Sequence, residues 1–202
     1  MNYEENQAFM RAVEMAHQVT DIEDYPVPIK KIISENPNIQ LMTFSQIAKW
    51  SDTLIKHVPM IGRSNDAFLF RQGRNKYVIA YNSHMPYRRI RFSLAHEYGH
   101  YLMNHSGESI YDDVNKKPIY THEEFEADVF ASCLLFPLHK RLEYRNKSSY
   151  EIANAFDISF TAVRLSMKII EKHVNSGLCE YLSVYAHRKR DSYINYLREI
   201  CN

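Results

Sequence analysis

The pentapeptide His96-Glu97-Tyr98-Gly99-His100 constrains this chain more than any other feature. It lies inside a stretch from Arg89 to His105 whose apolar residues Phe92, Leu94, Ala95, Tyr98 and Leu102 predict a helix. Residues four apart on a helix share a face, so both imidazoles can point at one ion. Glu97 projects beside that face, where a carboxylate can take a proton from ion-bound water. Neutral imidazole and carboxylate ligands with one open position suit zinc, whose bound water ionises near neutral pH. Random order yields such a pentapeptide in about one of thirty chains of this composition, so its surroundings decide the reading. One clue is Gly99. Glycine in a helix interior costs about 1 kcal/mol relative to alanine. Its presence predicts close approach of a neighbouring element or a ligand.

A catalytic zinc takes three protein ligands, so a third must come from elsewhere. The candidates cluster in Thr121-His122-Glu123-Glu124-Phe125-Glu126-Ala127-Asp128. Thr121 and Glu124 fit a capping box that opens a second helix, and Pro137 follows its end. Glu124, Ala127, Asp128, Ala131 and Leu135 fall on one face of that helix. Its two alanines permit close approach to the first helix, so a glutamate on that face reaches the ion. Glu126 lies about 200° around the helix, beside Phe130 and Cys133. Glu124 is therefore the preferred ligand, and Glu126 is the alternative. Asp128, one turn after Glu124, is placed to accept a hydrogen bond from a ligand histidine. Glu123 reads as a first-turn acid that complements the helix dipole.

The two blocks together resemble a known family. Arg89-Ile90-Arg91-Phe92-Ser93-Leu94-Ala95 followed by HEYGH, and then EFEADVFASCLLFP, is similar to the ImmA/IrrE family of bacterial zinc metallopeptidases. That family shows an RxRF(S/T)xAHExGH helix and then an ExxA(D/N)xFAxxLLxP helix. The similarity spans about residues 80–137. Phe136 stands where methionine is usual before the closing proline, a change in the core rather than in the chemistry. The resemblance implies His96 and His100 as zinc ligands, Glu124 as the third ligand and Glu97 as the base. It further implies a gluzincin-like endopeptidase that cuts helix-turn-helix repressors of mobile elements or stress regulons. Tyr111, Tyr120, His105 and His122 are candidates to stabilise the oxyanion.

The rest of the chain sets the frame. Its 202 residues favour one domain, or one domain with a small appendage. With 45% apolar and 24% charged residues, a core forms without disulfides. A formal net charge of +1 gives no general field for nucleic acid or anionic lipid. No apolar run approaches the roughly 20 residues of a membrane helix, and the N-terminus lacks a signal-peptide pattern. Three cysteines, Cys133, Cys179 and Cys201, form no CxxC and fit a reduced cytoplasmic compartment. The patterning predicts helices at about 2–20, 28–35 and 45–50 and a strand at 39–44. The runs AFLF and KYVIAY, around RQGRN, predict a β-hairpin. A loop spans residues 106–120, and KRLEYRNK reads as a basic connector.

The expected fold is α+β and mainly helical, with a small antiparallel sheet beside the active-site helix. A metallopeptidase domain with its N-terminal helix spans 1–140, and a helical C-terminal region spans 141–202. Within the latter, residues 148–172 resemble a helix-turn-helix, with Ala153, Ile158 and Val163 at its packing positions and Ser159 as an N-cap. Asp157 occupies the turn where glycine is frequent, and a packing or substrate-docking role is preferred to DNA binding. A further helix rich in Tyr and Arg closes the chain. Arg88, Arg89 and Arg91 are expected to pair with the acids at 123–128 or 112–113. The leading expectation is a cytoplasmic zinc endopeptidase acting on a transcriptional repressor. The alternative is a metal-containing binding module that sequesters its partner without cleavage, and a DNA-binding regulator ranks third.

Overall fold

The computed structural model describes residues 3–19, 25–106 and 121–175. The loop tyrosines Tyr111 and Tyr120, the acids at 112–113 and the Tyr- and Arg-rich closing segment lie outside them. In chain order the elements are α1 (Tyr3–Val19), α2 (Ile29–Glu35), β1 (Ile39–Thr43) and α3 (Phe44–Trp50). A 3-10 turn (Ile55–His57) leads to α4 (Val58–Gly62), β2 (Ala67–Gly73), β3 (Lys76–Tyr81) and α5 (Tyr87–Leu102). Then follow α6 (His122–Leu135), α7 (Leu138–Glu143), α8 (Ser149–Phe156) and α9 (Phe160–Asn175). The fold is α+β and mainly helical. Among the described residues no helix is long and apolar enough to cross a membrane.

The sheet order is β1-β3-β2. β2 and β3 form the expected antiparallel hairpin, but β1 runs parallel to β3, so the sheet is mixed rather than purely antiparallel. Local patterning does not reveal this pairing. A parallel neighbour needs a crossover, supplied here by α3, the 3-10 turn, α4 and β2. The central strand β3 is buried on both faces. Ile79 joins the main core, while Val78 and Ala80 face a smaller cluster with Phe44, Ile47, Val58 and Phe68. Alternation of side chains along the strand separates the two sets.

α5 packs on β2 and β3, and α6 packs on α5 and on α1. The contact between α5 and α6 explains Gly99. A Cβ there would lie 2.8 Å from Cδ1 and 3.2 Å from Cγ of Phe130 on α6. Phe130 is fully buried, so its ring can yield only by shifting its neighbours in the core. The glycine therefore lets the two helices approach closely, as its position in a helix interior predicts.

The C-terminal helices share the main core through Ile152, Ala153, Phe156, Ile158 and Val163. The Phe156 ring meets Phe136 at a centroid distance of 4.4 Å and Tyr25 at 4.9 Å. Asp157 adopts φ 52°, ψ 49°, a left-handed conformation that Asp tolerates better than most residues. Its carboxylate pairs with Arg88 at 3.1 Å and Arg91 at 3.8 Å, and its carbonyl accepts from Arg91. Arg89 pairs with Asp66 at 2.8 Å. The arginine cluster thus anchors α5 to the helix-turn-helix-like segment and to the bend before β2, not to the acids of α6. That segment lies far along the chain, so sequence proximity misled the expectation. The connector KRLEYRNK is also different from its reading, because part of it forms α7. Arg141 is 1% exposed and donates to the Phe136 carbonyl, to Ser132 Oγ and to the Ser166 carbonyl, joining α6 to α9.

Gly99→Ala is expected to destabilise the fold by about 1–3 kcal/mol through overpacking, despite the better helix propensity of alanine. Urea denaturation of the metal-free protein measures this. Phe130→Leu in the same chain should recover part of the loss, and strict additivity of the two changes would contradict the contact.

Candidate metal centre

The four-residue spacing on α5 brings the His96 and His100 rings together, with their Nε2 atoms 3.0 Å apart. Glu124 comes from the first turn of α6. Its Oε2 lies 3.3 Å from His96 Nε2, and its Oε1 lies 3.5 Å from His100 Nε2. Thr121 caps α6 by accepting from the Glu124 N–H at 3.2 Å. Only this half of the expected capping box forms, because the Glu124 carboxylate turns to the histidines instead of back to the cap.

Outer contacts decide which ring atoms face inward. His96 Nδ1 lies 2.9 Å from Asp128 Oδ1, the contact expected for Asp128. His100 Nδ1 lies 2.9 Å from His105 Nδ1. With both Nδ1 atoms engaged on the outside, the two Nε2 atoms and a carboxylate converge on one point. Lone pairs at such separations repel unless a proton or a cation lies among them. Tetrahedral zinc, about 2.0–2.1 Å from each ligand, places its ligands about 3.3 Å apart. The observed 3.0, 3.3 and 3.5 Å match that spacing. The donor set therefore fits a zinc-sized ion bound by His96, His100 and Glu124.

The local acid–base balance agrees. Burial disfavours charge on His96, but hydrogen bonds to Asp128 and Glu124 and the charges of Glu97 and Asp128 outweigh it, raising its pKa to about 10. Burial and the neighbouring His96 hold His100 well below its ordinary value. The two histidines are thus shifted in opposite directions, His96 toward its charged form and His100 toward its neutral form. Burial raises Glu97 to about 7; His96 opposes this, Glu124 adds to it, and the Leu69 N–H of β2 stabilises the charged form. Glu124 is lowered, chiefly by its hydrogen bond to His96.

The alternative acids are occupied elsewhere. Glu126 is on the far side of α6, 2.9 Å from His105 Nε2 and 3.1 Å from Arg11. Glu123 accepts from the N–H and Oγ of Ser106 at 2.9 and 3.0 Å rather than simply facing solvent at the helix end. His105 was a candidate oxyanion donor, but both its ring nitrogens are engaged, by His100 and Glu126. His122 is exposed at the start of α6. The residues that sequence reasoning missed are Arg11 and the outer role of His105. The available signal was Asn104. A residue in the left-handed conformation after a helix folds the next residue back over the last turn.

Metal uptake near neutral pH is expected to displace the proton on His96. Affinity should then rise with pH while His96 remains protonated, below about 10, by about tenfold per unit for one displaced proton. Calorimetric titration in buffers of different ionisation enthalpy reads the released proton directly. A pH-independent affinity would contradict this assignment.

The family model for peptidase M78, described as the IrrE N-terminal-like domain, matches residues 52–168. The match contains α5 and α6 and therefore the whole His96, His100 and Glu124 cluster. No curated protein matches the chain.

Proposed function

The chain belongs to the peptidase M78 family, whose model covers more than half of it, and from that premise we propose a zinc-dependent endopeptidase with a specific protein substrate. The observation that carries this reading is the convergence of two imidazole nitrogens and a carboxylate on one point, with Glu97 next to His96 in the chain. A zinc ion bound by these residues would polarise the scissile carbonyl and activate water. Glu97 accepts the water proton and later delivers it to the leaving amine.

The edge position of β2 supports a peptide as substrate. β2 is an outer strand of the sheet, and its Leu69 N–H donates to the Glu97 carboxylate. The outer strand therefore lies beside the base. An extended peptide pairing along this edge would present its backbone to Glu97. The resemblance noted in the sequence points to a helix-turn-helix transcriptional repressor as that substrate.

Glu97→Gln is expected to retain metal and partner binding while lowering cleavage of the repressor by about 10²–10⁴-fold or more. Glu124→Ala should lose both metal and cleavage, measured by elemental analysis and by electrophoresis of the incubated repressor. A regulatory response that survives Glu97→Gln would overturn the peptidase reading in favour of sequestration without cleavage.

A further inference from the structure

We propose that His105, Glu126 and Arg11 form a positioning relay that fixes the orientation and tautomer of His100, making α1 a working part of the metal centre. This rests on the reading of His96, His100 and Glu124 as metal ligands. The two histidines are supported differently. His96 meets a carboxylate directly, at Asp128. His100 meets a second imidazole, and the carboxylate comes one step later.

The backbone sets this up. Asn104 has φ 53°, its N–H bonds the Tyr101 carbonyl at 3.2 Å, and the His105 N–H bonds the His100 carbonyl at 3.0 Å. This is the Schellman arrangement, which reverses the chain at the end of α5 and lays residue 105 against residue 100. The His105 side chain is 3% exposed, so water does not replace its partners.

Hydrogen-bond chemistry then fixes the direction of each bond. A carboxylate only accepts, so the His105 nitrogen facing Glu126, Nε2, is the donor. In a neutral imidazole that leaves Nδ1 of His105 as an acceptor, opposite Nδ1 of His100 at 2.9 Å. His100 consequently donates from Nδ1, and its Nε2 lone pair is directed at the metal position. Arg11 closes the chain. Its Nη1 reaches both Glu126 oxygens, at 3.1 and 3.3 Å, and its Nη2 donates to the Met103 carbonyl at 2.9 Å. Arg11 lies outside residues 52–168, so this end of the relay is not part of the region that the family model matches.

Zinc affinity, measured by competition with a chromophoric chelator, tests the relay in the full chain. His105→Phe removes both ring hydrogen bonds and is expected to weaken zinc binding about 10–100-fold. His105→Gln can accept from His100 through its carbonyl and donate to Glu126 through its amide, and should restore most of the affinity. Arg11→Met, at the partly exposed far end, should produce a smaller loss in the same direction. Nitrogen NMR of histidine-labelled wild type gives a readout independent of activity. His100 Nδ1 should be protonated, His105 Nδ1 unprotonated, and the two should show scalar coupling across the hydrogen bond. The reverse proton assignment, or equal zinc affinity in wild type and His105→Phe, would overturn the relay while leaving the metal site standing. Wild type that binds no zinc would remove the metal reading, and this inference with it.

Discussion

The approach of α6 to α5 is the constraint on which the site depends. Gly99 sits between the two histidines in the chain, and the buried Phe130 ring occupies the space that its missing side chain leaves. A larger residue there would push the helices apart. Glu124 is anchored to α6 by the cap at Thr121, so its carboxylate would move away with the helix. The separations of 3.0 to 3.5 Å among His96, His100 and Glu124 exist because backbone packing permits them.

Around that contact, the fold turns each reactive group from the outside. Asp128 holds His96, His105 meets His100, and the Leu69 N–H faces Glu97. These partners come from α6, the segment after α5 and β2, so the centre draws on three sides of the fold. Burial then determines what each group can do. It raises Glu97 and disfavours charge on both histidines, while nearby acids outweigh it at His96.

Arginines connect this centre to the rest of the molecule. Arg88 and Arg91, at the start of α5, reach Asp157 in the turn between α8 and α9. The buried Arg141 joins the end of α6 to α9 through carbonyl and hydroxyl oxygens. Both helices that carry the cluster are therefore braced by the C-terminal segment. That segment has the shape of a helix-turn-helix, and its packing residues are used within the core.

Much of this was legible in the order of residues because the relevant interactions are local or periodic. The spacing of His96 and His100, the apolar face of α5, the cap at Thr121 and the hairpin of β2 and β3 all follow from the geometry of one element or one turn. That Glu124 rather than Glu126 converges with the histidines also followed from helical angle, since two residues along α6 reverse the side that a carboxylate faces. The parallel pairing of β1, the acids that Arg88, Arg89 and Arg91 meet, and the line from Arg11 through Glu126 to His105 were not legible. Each joins residues separated by tens of positions, and no local periodicity encodes which distant side chain arrives. The sequence by itself determined which side chains could hold a metal ion and the helix that presents the two histidines. Only the tertiary structure decided which nitrogen of each ring faces inward, because that depends on the partner packed against the other nitrogen.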